Sequence, residues 1–177
     1  MAGREDPKEN DLFFTCSLIE YIARKTKNKR VDVVDALGRE AIQRIYELAD
    51  VYHSDNIDRV SDDFIEEAGL AEGVFDNVSA ARYALPSHWD IGKVYRRLIL
   101  GIAREERVDV VEALFRAYHS FVSEKIQDYN SSFYYDAPQN ILNAYLDGGL
   151  EMIDGVTGGM VYGENSSDWN TGFRDDH

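Results

Sequence analysis

Arg30-Val31-Asp32-Val33-Val34-Asp35-Ala36-Leu37 returns as Arg107-Val108-Asp109-Val110-Val111-Glu112-Ala113-Leu114. Seven of the eight positions are identical, and the eighth exchanges Asp35 for Glu112. The offset of 77 (107 − 30), carried across residues 30–70 and 107–147, adds Arg39/Arg116, Glu47/Glu124, Tyr52/Tyr129 and Ser54/Ser131, giving 11 identities in 41 pairs. Upstream, after a three-residue gap, Leu18-Ile19 faces Leu98-Ile99 and Ile22-Ala23-Arg24 faces Ile102-Ala103-Arg104. These matches predict a duplicated helical module. A unit of roughly 75 residues folds alone only marginally, so two related units are expected to stack and share one core.

The octet alone is ambiguous, because its valines lie on both sides of a potential helix and would also suit a strand. Val31, Val34 and Leu37 stand at i, i+3 and i+6, which predicts a short helix ending near Gly38. Before it, Leu12, Cys16, Ile19 and Ala23 predict a buried first helix from Asn10 to about Thr26. After it, Ile42, Ile45, Tyr46, Ala49 and Tyr52 predict a third, Ser54-Asp55-Asn56 a break, and Ile57, Val60, Phe64 and Ile65 a fourth. The expectation is an all-α fold of about eight helices in two pseudo-symmetric halves forming one domain over residues 1–177. Repeat 11–70 is followed by connection 71–86, repeat 87–147 and an acidic, glycine-rich tail over 148–177. Ser87 and Asp90 resemble a capping box that opens the second repeat. There Val108–Phe115 reads as a short helix, Ala117–Tyr129 as a longer one, 130–136 as a turn, and Pro138–Asp147 as a closing helix capped by Asp136 and ended by Gly148-Gly149.

Composition narrows the class. The 177 residues carry 33 acids against 19 bases, a net charge of −14, yet they include 11 tyrosines, eight phenylalanines and two tryptophans. That is too apolar for a disordered chain, and the acidity opposes direct nucleic-acid binding. No apolar run is long enough to span a membrane, and the opening MAGREDPKEND lacks the apolar core of a signal peptide. With Cys16 as the single cysteine, no internal disulfide can form, which points to a reducing cytoplasm. The charge is uneven: residues 50–76 hold nine acids and one base, whereas 24–30 hold Arg24, Lys25, Lys27, Lys29 and Arg30 with no acid. The basic cluster falls at a helix end, where cations complement the helix dipole; an anion site is the alternative.

No GxxxxGK[ST], GxGxxG, GxSxG or CxxC occurs, so no cofactor is expected. The four histidines show no metal-ligand spacing. His53 and Asp55, within Tyr52-His53-Ser54-Asp55, form the densest run of reactive groups, with cap and turn chemistry as the simpler reading. Asp62, Asp63, Glu66 and Glu67 alternate with Phe64 and Ile65 and form an acidic helix face. Phe133-Tyr134-Tyr135 places three rings in a turn, which suits an interface or packing between the repeats.

The runs Leu18-Ile19-Glu20-Tyr21-Ile22-Ala23, Tyr52-His53-Ser54 and Val60-Ser61-Asp62-Asp63-Phe64-Ile65 resemble a family of short bacterial all-helical proteins classified only as a domain of unknown function. The resemblance covers residues 11–67 and extends faintly to 91–147. Members of that family are encoded near toxin-like genes, which implies a partner-binding role and supplies no catalytic residue. The functional expectation is therefore a non-enzymatic cytoplasmic module that binds a basic protein through Asp62, Asp63, Glu66 and Glu67, with support from Phe133, Tyr134 and Tyr135. An antitoxin-like or nucleic-acid-mimic role belongs to the same reading, and a homo-oligomer is compatible with it. The alternative is a metal-dependent hydrolase centred on His53, Asp55 and nearby carboxylates.

Overall fold

Phe14 through Glu20 form an unbroken buried run within the first helix, so its apolar residues face partners on both sides and the helix becomes the axis of the molecule. The computed structural model describes residues 7–148. Helix α1 spans Pro7–Thr26, α2 Arg30–Glu47, α3 Ala49–His53 and α4 Ile57–Ala68. Then come α5 (Asn77–Ala80), α6 (His88–Glu106), α7 (Val110–Tyr118) and α8 (Phe121–Ile126). Two 3-10 turns, Tyr129–Ser131 and Phe133–Tyr135, lead to a closing helix, α9, over 138–148. There is no strand among the described residues, and the fold is all-α. The tail expected over 148–177 lies, from residue 149 onward, outside the described residues.

Helix α1 packs most extensively on α6 and is flanked by α2, α3 and α4, while α6 packs on α7. The α1–α6 approach is close because Gly92 has no side chain: a Cβ there would lie 2.0 Å from Ser17 Oγ. Cys16 sits inside this contact, and burial pushes its thiol up to about 12, which keeps it protonated and inert.

The helix starts recur at an interval of 80 or 81 residues: 88 − 7, 110 − 30 and 138 − 57. The turns before α2 and α7 match in detail. Lys27 and Arg107 are both left-handed at φ 58° and 56°, and Asn28 N donates to Ala23 O as Val108 N donates to Ala103 O, at 3.1 and 3.2 Å. The identical octets, 77 residues apart, are therefore three positions out of register. Arg30 is the first residue of α2 and fully buried, whereas Arg107 terminates α6 and is exposed. Asp109 caps α7 by accepting from Glu112 N at 2.8 Å, while Asp32 lies inside the first turn of α2. The buried set Val33, Val34 and Leu37 answers to Ala113, Leu114 and Ala117, which is the interval of 80. A slip of three residues is close to one helical turn, so an apolar stripe survives it while the polar positions change role.

Most expected boundaries hold. Helix α2 breaks at Gly38 (φ 83°, ψ 165°) and resumes, and the stretch beyond is interrupted again at Leu48 before α3. Asn56 caps α4 by accepting from Asp58 N and Arg59 N, and Gly69 ends it in the left-handed region. The Ser87/Asp90 capping box is complete, with bonds of 3.0 and 2.9 Å. The longer helix expected over Ala117–Tyr129 is not formed. The backbone turns extended at Ser120 (φ −88°, ψ 163°), α8 runs for only six residues, and Tyr129 begins a 3-10 turn. Asp136 lies just outside α9, where its Oδ1 accepts from Ala137 N and Asn140 Nδ2, both at 2.9 Å.

The interior holds one charged knot. The Glu20 carboxylate, 1% exposed, accepts from Arg30 Nε at 2.9 Å and Nη2 at 2.7 Å, from Arg24 Nε at 3.0 Å, and from the Tyr129 hydroxyl. Arg30, 0% exposed, also donates to Asn28 O and Asn77 Oδ1, and its backbone N–H donates to Gln127 Oε1. Asn77 Nδ2 closes the circuit on Gln127 O, and Arg24 Nη2 reaches Pro86 O at 2.7 Å. The basic cluster at 24–30 keeps Arg24 and Lys25 in the last turn of α1, where they complement the helix dipole, and pairs with carboxylates as well. Arg24 and Arg30 take Glu20, Lys25 takes Asp58 and Asp62, Lys27 takes Glu72, and Lys29 takes Glu124.

Burial alone would push the Glu20 carboxyl up, but Arg30, Arg24 and Tyr129 outweigh it and hold the group at about 2 instead of its ordinary 4.5. A depressed carboxyl contributes stability that is complete above pH 4.5 and lost as pH falls toward 2, on the order of 3 kcal/mol from this group. Glu20→Gln leaves Arg30 buried without a counter-charge and is expected to lower unfolding free energy by about 3–5 kcal/mol. Urea titrations at stepped pH should show the acid limb of wild type flattened in the variant; an unchanged limb would assign it elsewhere. Gly38→Ala, at a backbone conformation open essentially to glycine alone, is expected to cost about 1–3 kcal/mol in the same assay.

Candidate functional site: an acidic helix beside an aromatic seam

Helix α4 buries Val60, Ser61 and Phe64 against α1 and α2, which turns Asp62, Asp63, Glu66 and Glu67 outward. All four are exposed. Two are engaged by bases of the scaffold: Asp62 by Lys25 at 2.6 Å and Glu67 by Arg44. Asp63 and Glu66 make no ion pair among the described residues.

Lys25 of α1 is held by this helix. Its ammonium sits between Asp58 Oδ1 at 2.7 Å and Asp62 Oδ1 at 2.6 Å, one turn apart on α4, and also donates to Ser61 Oγ at 3.0 Å. The Tyr21 hydroxyl donates to Asp58 Oδ1 at 2.8 Å, and the Tyr21 ring lies 5.6 Å from the Lys25 ammonium. Partial burial works against the lysine charge, and the two aspartates more than restore it, so its pKa is raised. Two carboxylates at i and i+4 with an aromatic ring alongside make an ammonium cradle.

From Tyr21 a line of rings continues across the surface. Tyr21 meets His88 edge-on at 5.0 Å, His88 meets Trp89 at 4.6 Å, and Trp89 meets both His53 at 5.7 Å and Phe13 at 5.5 Å. These rings come from α1, α3 and the first turn of α6, and each is partly or fully open to solvent. His88 is placed by the capping box and by Pro86, whose carbonyl Arg24 holds. Its Nε2 is buried with no hydrogen-bond partner among the described residues. Burial first, and the Arg24 charge second, lower the His88 pKa.

The other sequence candidates separate. His53 joins the seam, where its ring also lies 5.1 Å from Phe14. Asp55 turns away to pair with Arg59 and to accept from Asn56 N. No three His, Cys, Asp or Glu side chains among the described residues are grouped to hold a metal ion. Of the three successive rings in the turn, Phe133 and Tyr134 are buried, while Tyr135 is 72% exposed and stacks on Tyr134 at 4.5 Å. They lie beside Asp90, Asp136 and Pro138, on the side of α6 that carries Lys93, Val94 and Arg97, whereas the rings continuous with Tyr21 next to α4 are His88 and Trp89. The sequence carried only a weak signal for this seam, namely Tyr21 in the resembling run and His88-Trp89 beside the capping serine. Their meeting requires α1 and α6 to be packed together.

No family model matches the chain, and no curated protein or solved structure matches it. No helix among the described residues is long and apolar enough to cross a membrane.

His88 is expected to titrate below the ordinary histidine value of 6.5. Because folding favours its neutral form, its contribution to stability is present above pH 6.5 and falls away as pH drops. NMR titration of the imidazole resonances checks this, with Arg24→Gln expected to move the midpoint upward. A midpoint at or above 6.5 in wild type would contradict the described environment.

Proposed function

We propose that this chain is a cytoplasmic, non-enzymatic module that binds a basic protein through the outer face of α4 and the aromatic seam beside it. The observation that carries the reading is the way Lys25 is held. The face already grips an ammonium between Asp58 and Asp62 beside the Tyr21 ring, and next to that pair it presents Asp63 and Glu66, which make no ion pair among the described residues. Exposed ion pairs such as Lys25–Asp62 and Arg44–Glu67 are each worth little, so an incoming lysine or arginine can exchange with them at small cost. The rings of Tyr21, His88 and Trp89 add the desolvated contact area that turns electrostatic attraction into a lasting complex.

The resemblance of residues 11–67 to short bacterial helical proteins encoded near toxin-like genes supports an antitoxin-like setting for this reading. A nucleic-acid-mimic version draws its support from the run of carboxylates along α4 and the net charge of −14. The two versions differ in whether DNA competes for the captured partner.

The test compares wild type with the quadruple variant Asp62→Asn, Asp63→Asn, Glu66→Gln and Glu67→Gln. These positions are exposed, so the variant should fold, which circular dichroism verifies. In pull-downs from the native host at ~50 mM salt, a basic partner is expected on wild type, at least several-fold depleted on the variant, and released from wild type by ~0.5 M salt. A partner retained equally by both proteins, or one insensitive to salt, would remove α4 as the binding face. Trp89→Ala is expected to weaken retention about tenfold while leaving its salt dependence unchanged.

A further inference from the structure

A cleft of about 430 Å³ lies between α6, the second 3-10 turn and α9. Its walls are apolar where Val94, Leu98 and Ile141 meet, and the Tyr134 and Tyr135 rings close one side. Four charged residues border it: Asp90 and Asp136, Lys93 and Arg97. The two signs are not equally available. Asp90 Oδ2 accepts from Ser87 N in the capping box at the positive end of α6, and Asp136 Oδ1 accepts from Ala137 N and Asn140 Nδ2 at the positive end of α9. Both acids are therefore balanced locally by helix ends.

Lys93 and Arg97 have no such balance. They stand one turn apart on α6, both exposed, and neither makes a hydrogen bond or an ion pair among the described residues. Like charges at i and i+4 repel each other. Exposed bases such as Lys25, Arg39, Arg59 and Arg116 find a carboxylate; Arg82 and Arg107, like Lys93 and Arg97, make no ion pair among the described residues, but Lys93 and Arg97 stand together at a cleft. Two unpaired cations at the mouth of an apolar cleft of ligand size mark a place for a negative head on an apolar body.

We propose that this cleft binds an amphipathic carboxylate, with its hydrocarbon portion between Val94, Leu98 and Ile141 and its carboxylate on Lys93 and Arg97. The Tyr134 and Tyr135 rings flank the apolar part, which explains why a turn carries consecutive tyrosines, one of them packed and one presented to solvent. This site is separate from the α4 face and does not depend on it.

The test is calorimetric titration of the full chain with octanoate, octan-1-ol and octylammonium, which share a chain and differ in head charge. Octanoate is expected to bind about tenfold or more tighter than octan-1-ol, and octylammonium more weakly than either. Lys93→Gln with Arg97→Gln removes two side chains that hold nothing in the fold. That double variant should reduce octanoate affinity to that of octan-1-ol and leave octan-1-ol unchanged. Ile141→Asn should weaken all three. Equal affinity for octanoate and octylammonium, octanoate binding that survives the double variant, or no binding of octanoate at millimolar concentration would each overturn the proposal.

Discussion

The buried Glu20–Arg30 pair is the constraint on which the rest of the arrangement depends. Removing a carboxylate and a guanidinium from water costs several kcal/mol per ion, and only close, multiple hydrogen bonds offset it. Here two parallel bonds join the pair, Arg24 and Tyr129 fill the remaining acceptor positions of the carboxylate, and Asn28 and Asn77 take the outer guanidinium hydrogens. Apart from Arg24, which shares α1 with Glu20, these partners lie on different segments, so satisfying one side chain positions α1, the start of α2, α5 and the 3-10 turn together. An apolar core would tolerate small shifts among these segments, whereas a charged knot holds one geometry or becomes expensive.

That geometry reaches the surface through Arg24. Its guanidinium holds Glu20 with one nitrogen and the Pro86 carbonyl with another, and so ties the chain just before α6 to α1. The first turn of α6 then brings His88 and Trp89 against Tyr21 and Phe13. The next residue of α1, Lys25, points the other way and clasps α4. Two adjacent basic residues thus organise two different surfaces, the aromatic seam and the acidic helix, along one helix end. In a chain so rich in acids, most bases are consumed by this internal work, and the outward face of α4 keeps a surplus of carboxylates.

Much of the helical framework was legible in the residues. The spacing of Leu12, Cys16, Ile19 and Ala23 predicted α1, Ser87 and Asp90 predicted the start of α6, and Asn56 stood where α4 begins, because capping and periodicity are local chemistry. The octet repeat was legible as identity but misleading as register. Valines spaced three apart keep an apolar stripe under a slip of one turn, so the same eight letters serve two positions, while the helix starts, the buried set and the turns at Lys27 and Arg107 recur at 80 or 81 residues. The break at His119-Ser120 is hidden for a related reason: Tyr118, Val122 and Ile126 keep i, i+4, i+8 spacing across it, and the extended backbone at Ser120 leaves little trace in composition.

The amino-acid sequence by itself determined an all-helical chain, the places where most helices begin and end, and the outward acidity of α4, since each follows from period, caps and the price of burying charge. The tertiary structure alone decided which charged residues go inside. Arg30 and Arg107 are the same letter in the same octet, and nothing local separates them. Only the presence of Glu20, Asn77 and Tyr129, up to 99 residues away along the chain from Arg30, makes one of them a buried ion while the other caps a helix in solvent. The aromatic seam has the same origin: its rings meet because α1 and α6 pack at Gly92, and long-range contact of that kind is written in no single stretch of sequence.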